Sequence, residues 1–237
     1  VRRLIAACGC AAALACASLA GAAGLPDPLR VVYTLARGPL EIGRVEETLT
    51  RSVTGYRIVS EASAVGVAAI FARGQHWRRE SHGRLTADGP RPDLYTDQRG
   101  NRPVLTIRFD WDAMQIEFER DGARETRELP AGPVHDRLSL AWSFALRPPG
   151  WERHKTLTVH LADGRSIAEQ VYAVLGRERL ATPIGELDTI RLSRVREDRQ
   201  PGVDLWIAPD RGMLPVRILV TEPDGQVFEQ RIVQISP

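Results

Sequence analysis

From Arg30 to its end the chain alternates apolar and polar residues with a period of two. The clearest stretch sets Leu105, Ile107, Phe109 and Trp111 against Thr106, Arg108 and Asp110. One apolar and one wet face mark a half-buried antiparallel strand. The same alternation places Ile116 and Phe118 against Gln115, Glu117 and Glu119, and Leu157, Val159 and Leu161 against Thr156, Thr158 and His160. It returns in Val216, Ile218 and Val220 against Arg217 and Thr221. Asp-Gly pairs at Asp88-Gly89, Asp121-Gly122, Asp163-Gly164 and Asp224-Gly225 fall between such runs. They suit the positive φ angles of tight hairpin turns, so the pattern predicts a meander. Gly43 interrupts the strand Leu40 to Leu49 and Gly185 the strand Ile184 to Leu192, and each predicts a bulge or bend,.

Two stretches leave this period. Asp136 can cap a helix over Arg137 to Arg147, and Pro148-Pro149-Gly150 stops it,. Leu138, Leu140, Ala141, Trp142, Phe144, Ala145 and Leu146 surround its axis, with Ser139 and Ser143 as small polar gaps. A helix apolar nearly all round must be buried nearly all round. The run Val65 to Ala72 is also continuously apolar, and periodicity leaves buried strand and short helix both open. The expected fold is therefore mainly β: an antiparallel curved sheet, half-barrel or open barrel, wrapped around one buried helix.

The first 23 residues read differently. Arg2 and Arg3 precede an uncharged Ala/Leu/Cys run that ends in small residues, the layout of a secretory signal peptide,. All three cysteines, Cys8, Cys10 and Cys16, lie inside it. The expectation is a periplasmic protein of one β-rich domain, 24–237, whose mature chain is cysteine-free and holds together by burial alone. About 214 residues suffice for that, since such a chain buries roughly 70 % of its unfolded surface. A second reading takes Ala13-Leu14-Ala15-Cys16 as a partial lipobox and anchors the protein through Cys16. No later run approaches the ~20 apolar residues of a transmembrane span. Without Arg2 and Arg3 the basic and acidic residues balance. The arginines alternate with acids instead of clustering, which argues against a nucleic-acid partner.

Candidate chemistry is sparse. His76 and His82, like His154 and His160, are six residues apart, roughly 20 Å in a strand, too far to share one ion. No metal, cofactor or catalytic set is expected. His135-Asp136 beside Ser139 reads as a loop residue and a helix cap, and Asp110 and Asp112 as turn formers. The aromatics remain. A sheet wrapped around a helix can leave an apolar cavity, with Trp111, Phe118, Trp142, Phe144 and Trp206 as its lining. A filled core is the alternative.

Several local patterns together resemble one family. They are Gly38-Pro39-Leu40 with Ile42-Gly43; Ser81, Gly83, Leu85, Ala87-Asp88-Gly89, Arg91-Pro92 and Tyr95; and Phe109-Asp110-Trp111. Further on come Asp136-Arg137-Leu138-Ser139-Leu140, Thr182-Pro183 with Gly185 and Leu187, Trp206-Ile207-Ala208-Pro209-Asp210, and Leu214-Pro215-Val216-Arg217. The chain resembles the bacterial exported proteins grouped as domain of unknown function 3108, which implies an envelope location and no activity. Trp206 to Arg217 with Asp224-Gly225 is also similar to the closing hairpins of periplasmic lipoprotein carriers, half-barrels closed by helices. Two non-enzymatic functions follow as expectations. One is binding of an apolar envelope ligand, a lipid or acyl chain. The other is an interaction or scaffold module using a sheet edge or the Arg/Glu-rich outer face. The oligomeric state is left open.

Overall fold

The computed structural model describes residues 25–72, 76–164 and 166–237. The expected leader and its three cysteines lie outside the described residues. The chain forms two meanders. The first is β1 (Leu29–Arg37), β2 (Leu40–Arg51), β3 (Gly55–Ala64), β4 (His76–Thr86), β5 (Gly89–Arg99), β6 (Leu105–Asp110), β7 (Gln115–Arg120) and β8 (Ala123–Glu128). The second is β9 (Val134–His135), β10 (Thr156–Asp163), β11 (Ser166–Thr182), β12 (Gly185–Val195), β13 (Gly202–Ala208), β14 (Leu214–Thr221) and β15 (Val227–Ser236). Helix α1 (Gly66–Ala72) follows β3, which settles the ambiguous apolar run as helix, and α2 (Arg137–Leu146) follows β9. Among the described residues no helix is long and apolar enough to cross a membrane.

The first and last strands join the meanders, with Arg30 opposite Ser236 and Arg37 opposite Phe228. The result is one 15-stranded sheet, running from β8 in to β1, then from β15 out to β9. Every neighbouring pair is antiparallel except β9 with β10. The sheet is not closed, since β8 and β9 are its two ends.

Those ends are separated by residues 129–133 alone. Laid flat, the sheet would span about 67 Å at about 4.8 Å per strand. Six Cα steps reach at most about 21 Å. The sheet must therefore curl until its second end comes back to its first. It returns onto β5, which β9 contacts, so β6 to β8 run on past the meeting point. Helix α2 lies inside the curl, against β3, β4 and β5 of one half and β9, β10 and β14 of the other.

The helix begins where the chemistry of Asp136 predicts. Its carboxylate accepts the backbone N–H groups of Leu138 (2.8 Å) and Ser139 (2.9 Å), and Ser139 Oγ accepts the N–H of Asp136 (2.9 Å), a reciprocal cap. The expected all-round burial needs correction: Arg137 is exposed, and Ala141, Ala145 and Leu146 are half-buried. The apolar circumference has another cause. Leu138 and Trp142 enter one core, with Tyr33, Leu49, Ile58, Tyr95, Ile107 and Phe118. Leu140 and Phe144 enter a second, with Trp151, Tyr172, Leu192 and Ile207. One helix serves two cores from two of its faces, and the gap residues Ser139 and Ser143 are buried between them.

The turn chemistry also holds. Asp121 and Gly122, at φ 55° and 74°, form the two-residue turn between β7 and β8, the mirror-image type that fits strand twist. Asp110 Oδ1 accepts the N–H groups of Asp112 (3.1 Å) and Ala113 (2.9 Å), so this Asp is a turn former. Gly43 lies at a register shift between β1 and β2, as expected. Gly185 does not bend a strand: it ends the Thr182–Gly185 hairpin turn.

Candidate functional site

The inner face carries polar groups where alternation alone would place only apolar ones. On β2 the inward positions are Gly43, Val45, Glu47 and Leu49. Strand register then sets Glu47 opposite Ser60, Ser60 opposite Arg79, and Arg79 opposite Asp97. Residues directly opposite share a face, so these four form a polar row across β2 to β5.

Helix α2 lies over this row. The buried Trp142 indole N–H donates to Glu47 Oε2 (2.7 Å), and Ser60 Oγ donates to Oε1 (3.2 Å). Burial pushes the Glu47 carboxyl up, opposed by Trp142, Ser60, the charge of Arg79 and Gln230. At the other end of the row Asp97 accepts Arg99 Nη2 (2.7 Å) and faces Arg79 Nε at 3.5 Å. Arg137 of α2 pairs with Asp163 of β10, joining the helix to the second meander. Burial would raise the Asp163 carboxyl, but Arg137, Arg99 and Arg79 together bring it below its usual value.

One rung along, Ser81 lies opposite Ile58 and Tyr95. Its hydroxyl donates to Asp136 Oδ2 (2.6 Å), and the Tyr56 hydroxyl lies 3.3 Å from Ser81 Oγ. The helix cap is thus tied to the sheet by a buried carboxylate. Burial raises its carboxyl, and Ser81 and the cap N–H groups oppose the shift.

The other side of α2 is less well partnered. Both nitrogens of buried His135, Trp151 Nε1 and Arg147 Nε find no partner among the described residues. Burial first, then the charge of Arg147, pushes His135 down to about 3. His135 makes no hydrogen bond to Asp136 or Ser139, whose polar atoms are committed to the cap.

Of the five aromatics proposed as a lining, Trp111, Phe118, Trp142 and Trp206 belong to the first core and Phe144 to the second. Trp111, half-buried, donates to the Pro92 carbonyl (2.7 Å) under the Arg91 guanidinium. Trp206 donates to Glu178 and is flanked by Arg191 and Arg217. Phe144 packs on Trp151 with centroids 5.0 Å apart. Phe118 alone of the five borders either of two cavities near the β7–β8 hairpin. One, of about 240 Å³, meets Leu105, Phe118, Arg120 and Arg124. The other, of about 190 Å³, meets Asp97, Arg99, Arg102 and Arg120. Neither is bordered by α2. Among the described residues no three His, Cys, Asp or Glu side chains gather as a metal-ligand set.

Reasoning from sequence missed Glu47, Ser60, Ser81 and Asp97. The signal was present for Glu47, an acid in phase with inward Val45 and Leu49.

A family model described as "Protein of unknown function (DUF3108)" matches residues 31–231. A comparison with curated proteins finds no match. Among solved structures, the chain is similar to a protein described as exported, with a YmcC-like fold, from Bacteroides fragilis. Identity is 10 %, the match covers 90 % of this chain and 97 % of that one, and the TM-score is 0.42. It is also similar to a protein described as a lipoprotein from Parabacteroides distasonis. There the identity is 8 %, the coverage 89 % and 96 %, and the TM-score 0.38.

Proposed function

Because the chain belongs to the DUF3108 family, whose resemblance carries an envelope location and no activity, we propose that it is an exported, non-catalytic interaction module. It works as a rigid half-barrel whose contacts are made on its outer surface and its sheet edge. The observation that carries this reading is the bond from Trp142, 0 % exposed, to Glu47. A helix held by buried hydrogen bonds is part of the core, and a core helix leaves no room for cargo beneath it. The leader pattern in residues 1–23 supports export. The outer face offers alternating arginines and acids, among them Arg57 with Glu80 and Arg78 with Glu61 and Glu80.

Cross-linking in cells from photoreactive residues at Arg57 and Arg78 tests this reading. Discrete adducts with envelope proteins are expected, and their absence at every outer-face position overturns it.

A second reading rests on the adjoining cavities, which share Arg120. A short amphiphile could lay its apolar tail on Leu105 and Phe118 and its anionic head among Arg99, Arg102 and Arg120. At about 240 Å³ the apolar part is smaller than ligand pockets of about 300–1,000 Å³,. Native mass spectrometry of the purified protein separates the readings: a stoichiometric lipid adduct favours this one, the bare mass the module.

A further inference from the structure

Strand β8 ends the sheet, and all six of its residues are exposed on both faces. Its neighbour on one side is β7, and among the described residues nothing pairs with its other side. Since the sheet returns onto β5, the curl does not cover this edge. An unpaired edge is a template for another strand unless its side chains forbid pairing.

The hydrogen-bond phase of the edge follows from the β7–β8 register. Arg120 faces Ala123 and Gln115 faces Glu128, and beyond them the Leu129 N–H donates to the Met114 carbonyl (2.9 Å). Hydrogen-bonded and non-hydrogen-bonded pairs alternate along an antiparallel ladder. Ala123, Glu125, Arg127 and Leu129 therefore direct their backbone groups to β7. Arg124, Thr126 and Glu128 direct theirs outward.

The charge sequence Arg124-Glu125-Thr126-Arg127-Glu128 is antisymmetric about Thr126. Reading it backwards exchanges every arginine for a glutamate. In an antiparallel pair of two such strands centred on Thr126, Arg124 opposes the partner's Glu128 and Glu125 opposes the partner's Arg127, each twice by symmetry. The same register brings the outward-directed residues opposite one another, Arg124 to the partner's Glu128 and Thr126 to the partner's Thr126. A slip of one residue sets outward groups against inward ones. A slip of two sets Glu125 against Glu125 or Arg127 against Arg127, which repel. From this coincidence of hydrogen-bond phase and charge, we propose that the occupant of the β8 edge is a second copy of the chain. The two sheets then join across a two-fold axis at Thr126, an isologous contact. This inference rests on the strand edge alone and holds under either reading of function.

A short strand pair is a small interface, so association is expected to be weak, with a dissociation constant on the order of 10 µM. Sedimentation velocity across a concentration series tests it. The wild-type protein should pass from monomer to dimer, and Arg127→Glu, which sets Glu against Glu, should remain monomeric. The exchanged pair Glu125→Arg with Arg127→Glu should dimerise again. Thr126→Pro, which removes an outward N–H while sparing the bonds to β7, should stay monomeric. Two further variants, Arg124→Glu/Arg127→Glu and Glu125→Arg/Glu128→Arg, should each be monomeric alone and associate when mixed. Circular dichroism confirms that each variant keeps the fold, as exposed positions allow. A wild type that stays monomeric, an Arg127→Glu variant that associates like wild type, or a mixture that fails to associate overturns the proposal.

Discussion

The two cores that share α2 handle buried polarity in opposite ways. On the Trp142 side, Glu47 and Asp136 are carboxyl groups taken out of water, and the oxygens of each are met by donors from the helix or the sheet. The Tyr95 hydroxyl and Arg79 Nε are the exceptions there. On the Phe144 side, Trp151 is packed by an aromatic neighbour while its indole N–H has no acceptor among the described residues, and nearby His135 has no partner there at either nitrogen. A partnered buried group gives direction to the packing, because only one placement of the helix satisfies it; an unpartnered one costs free energy in every placement. The first core therefore fixes how α2 sits, and the second follows by filling space.

Substitutions at the shared helix test that contrast. Trp142→Ala should cost the most, about 5 kcal/mol, because it opens a cavity and strips Glu47 of a donor. Urea unfolding measures this, and a loss no greater than that of Phe144→Ala would erase the distinction. Asp136→Ala should cost about 2–3 kcal/mol by the same measure, since it removes the cap and leaves the buried Ser81 hydroxyl without its acceptor.

The next effect appears only on changing pH. His135 titrates near 3 in the folded protein against an ordinary 6.5. The unfolded chain therefore binds the extra proton between those values, and stability falls as pH falls through that window. The loss due to His135 is about 2 kcal/mol between pH 7 and pH 5. Glu47 and Asp136 act in the opposite sense. Their folded carboxyls are raised, so the stability they contribute is full at low pH and is lost as pH rises. His135→Leu should remove the acid-side loss and make the variant more stable than wild type at pH 5. Melting curves at pH 5 and pH 7 check this, and an unchanged difference between the two pH values contradicts it. The smallest effect belongs to Trp151→Phe, which keeps an aromatic ring against Phe144 while deleting an N–H without a partner among the described residues, and the lost ring volume should cost about 1 kcal/mol,. A cost as large as that of Asp136→Ala would put Trp151 on a par with the partnered groups of the first core.

Much of this architecture was legible residue by residue. The alternation of Leu105 to Asp110 and the Asp121-Gly122 turn gave strands and hairpins, because both signals reflect only neighbouring backbone geometry. Asp136 announced the helix for the same reason. The five aromatics misled in one respect: hydrophobicity locates burial but is silent on which core receives each ring. Trp142 and Phe144 are two residues apart and enter different cores. The polar row was hidden because Glu47, Ser60, Arg79 and Asp97 lie on four strands and meet only through register.

What the chain determined alone was short-range: where strands run, where they turn, and where one capped helix begins and ends. The tertiary structure decided the rest, including the pairing of β1 with β15, the return of β9 onto β5, and the burial of Glu47 beneath Trp142. These depend on the curl of the sheet, which accumulates from strand twist over fifteen strands,. No local stretch of sequence contains that sum, so the partners of its buried charges become known only when the two ends of the sheet meet around α2.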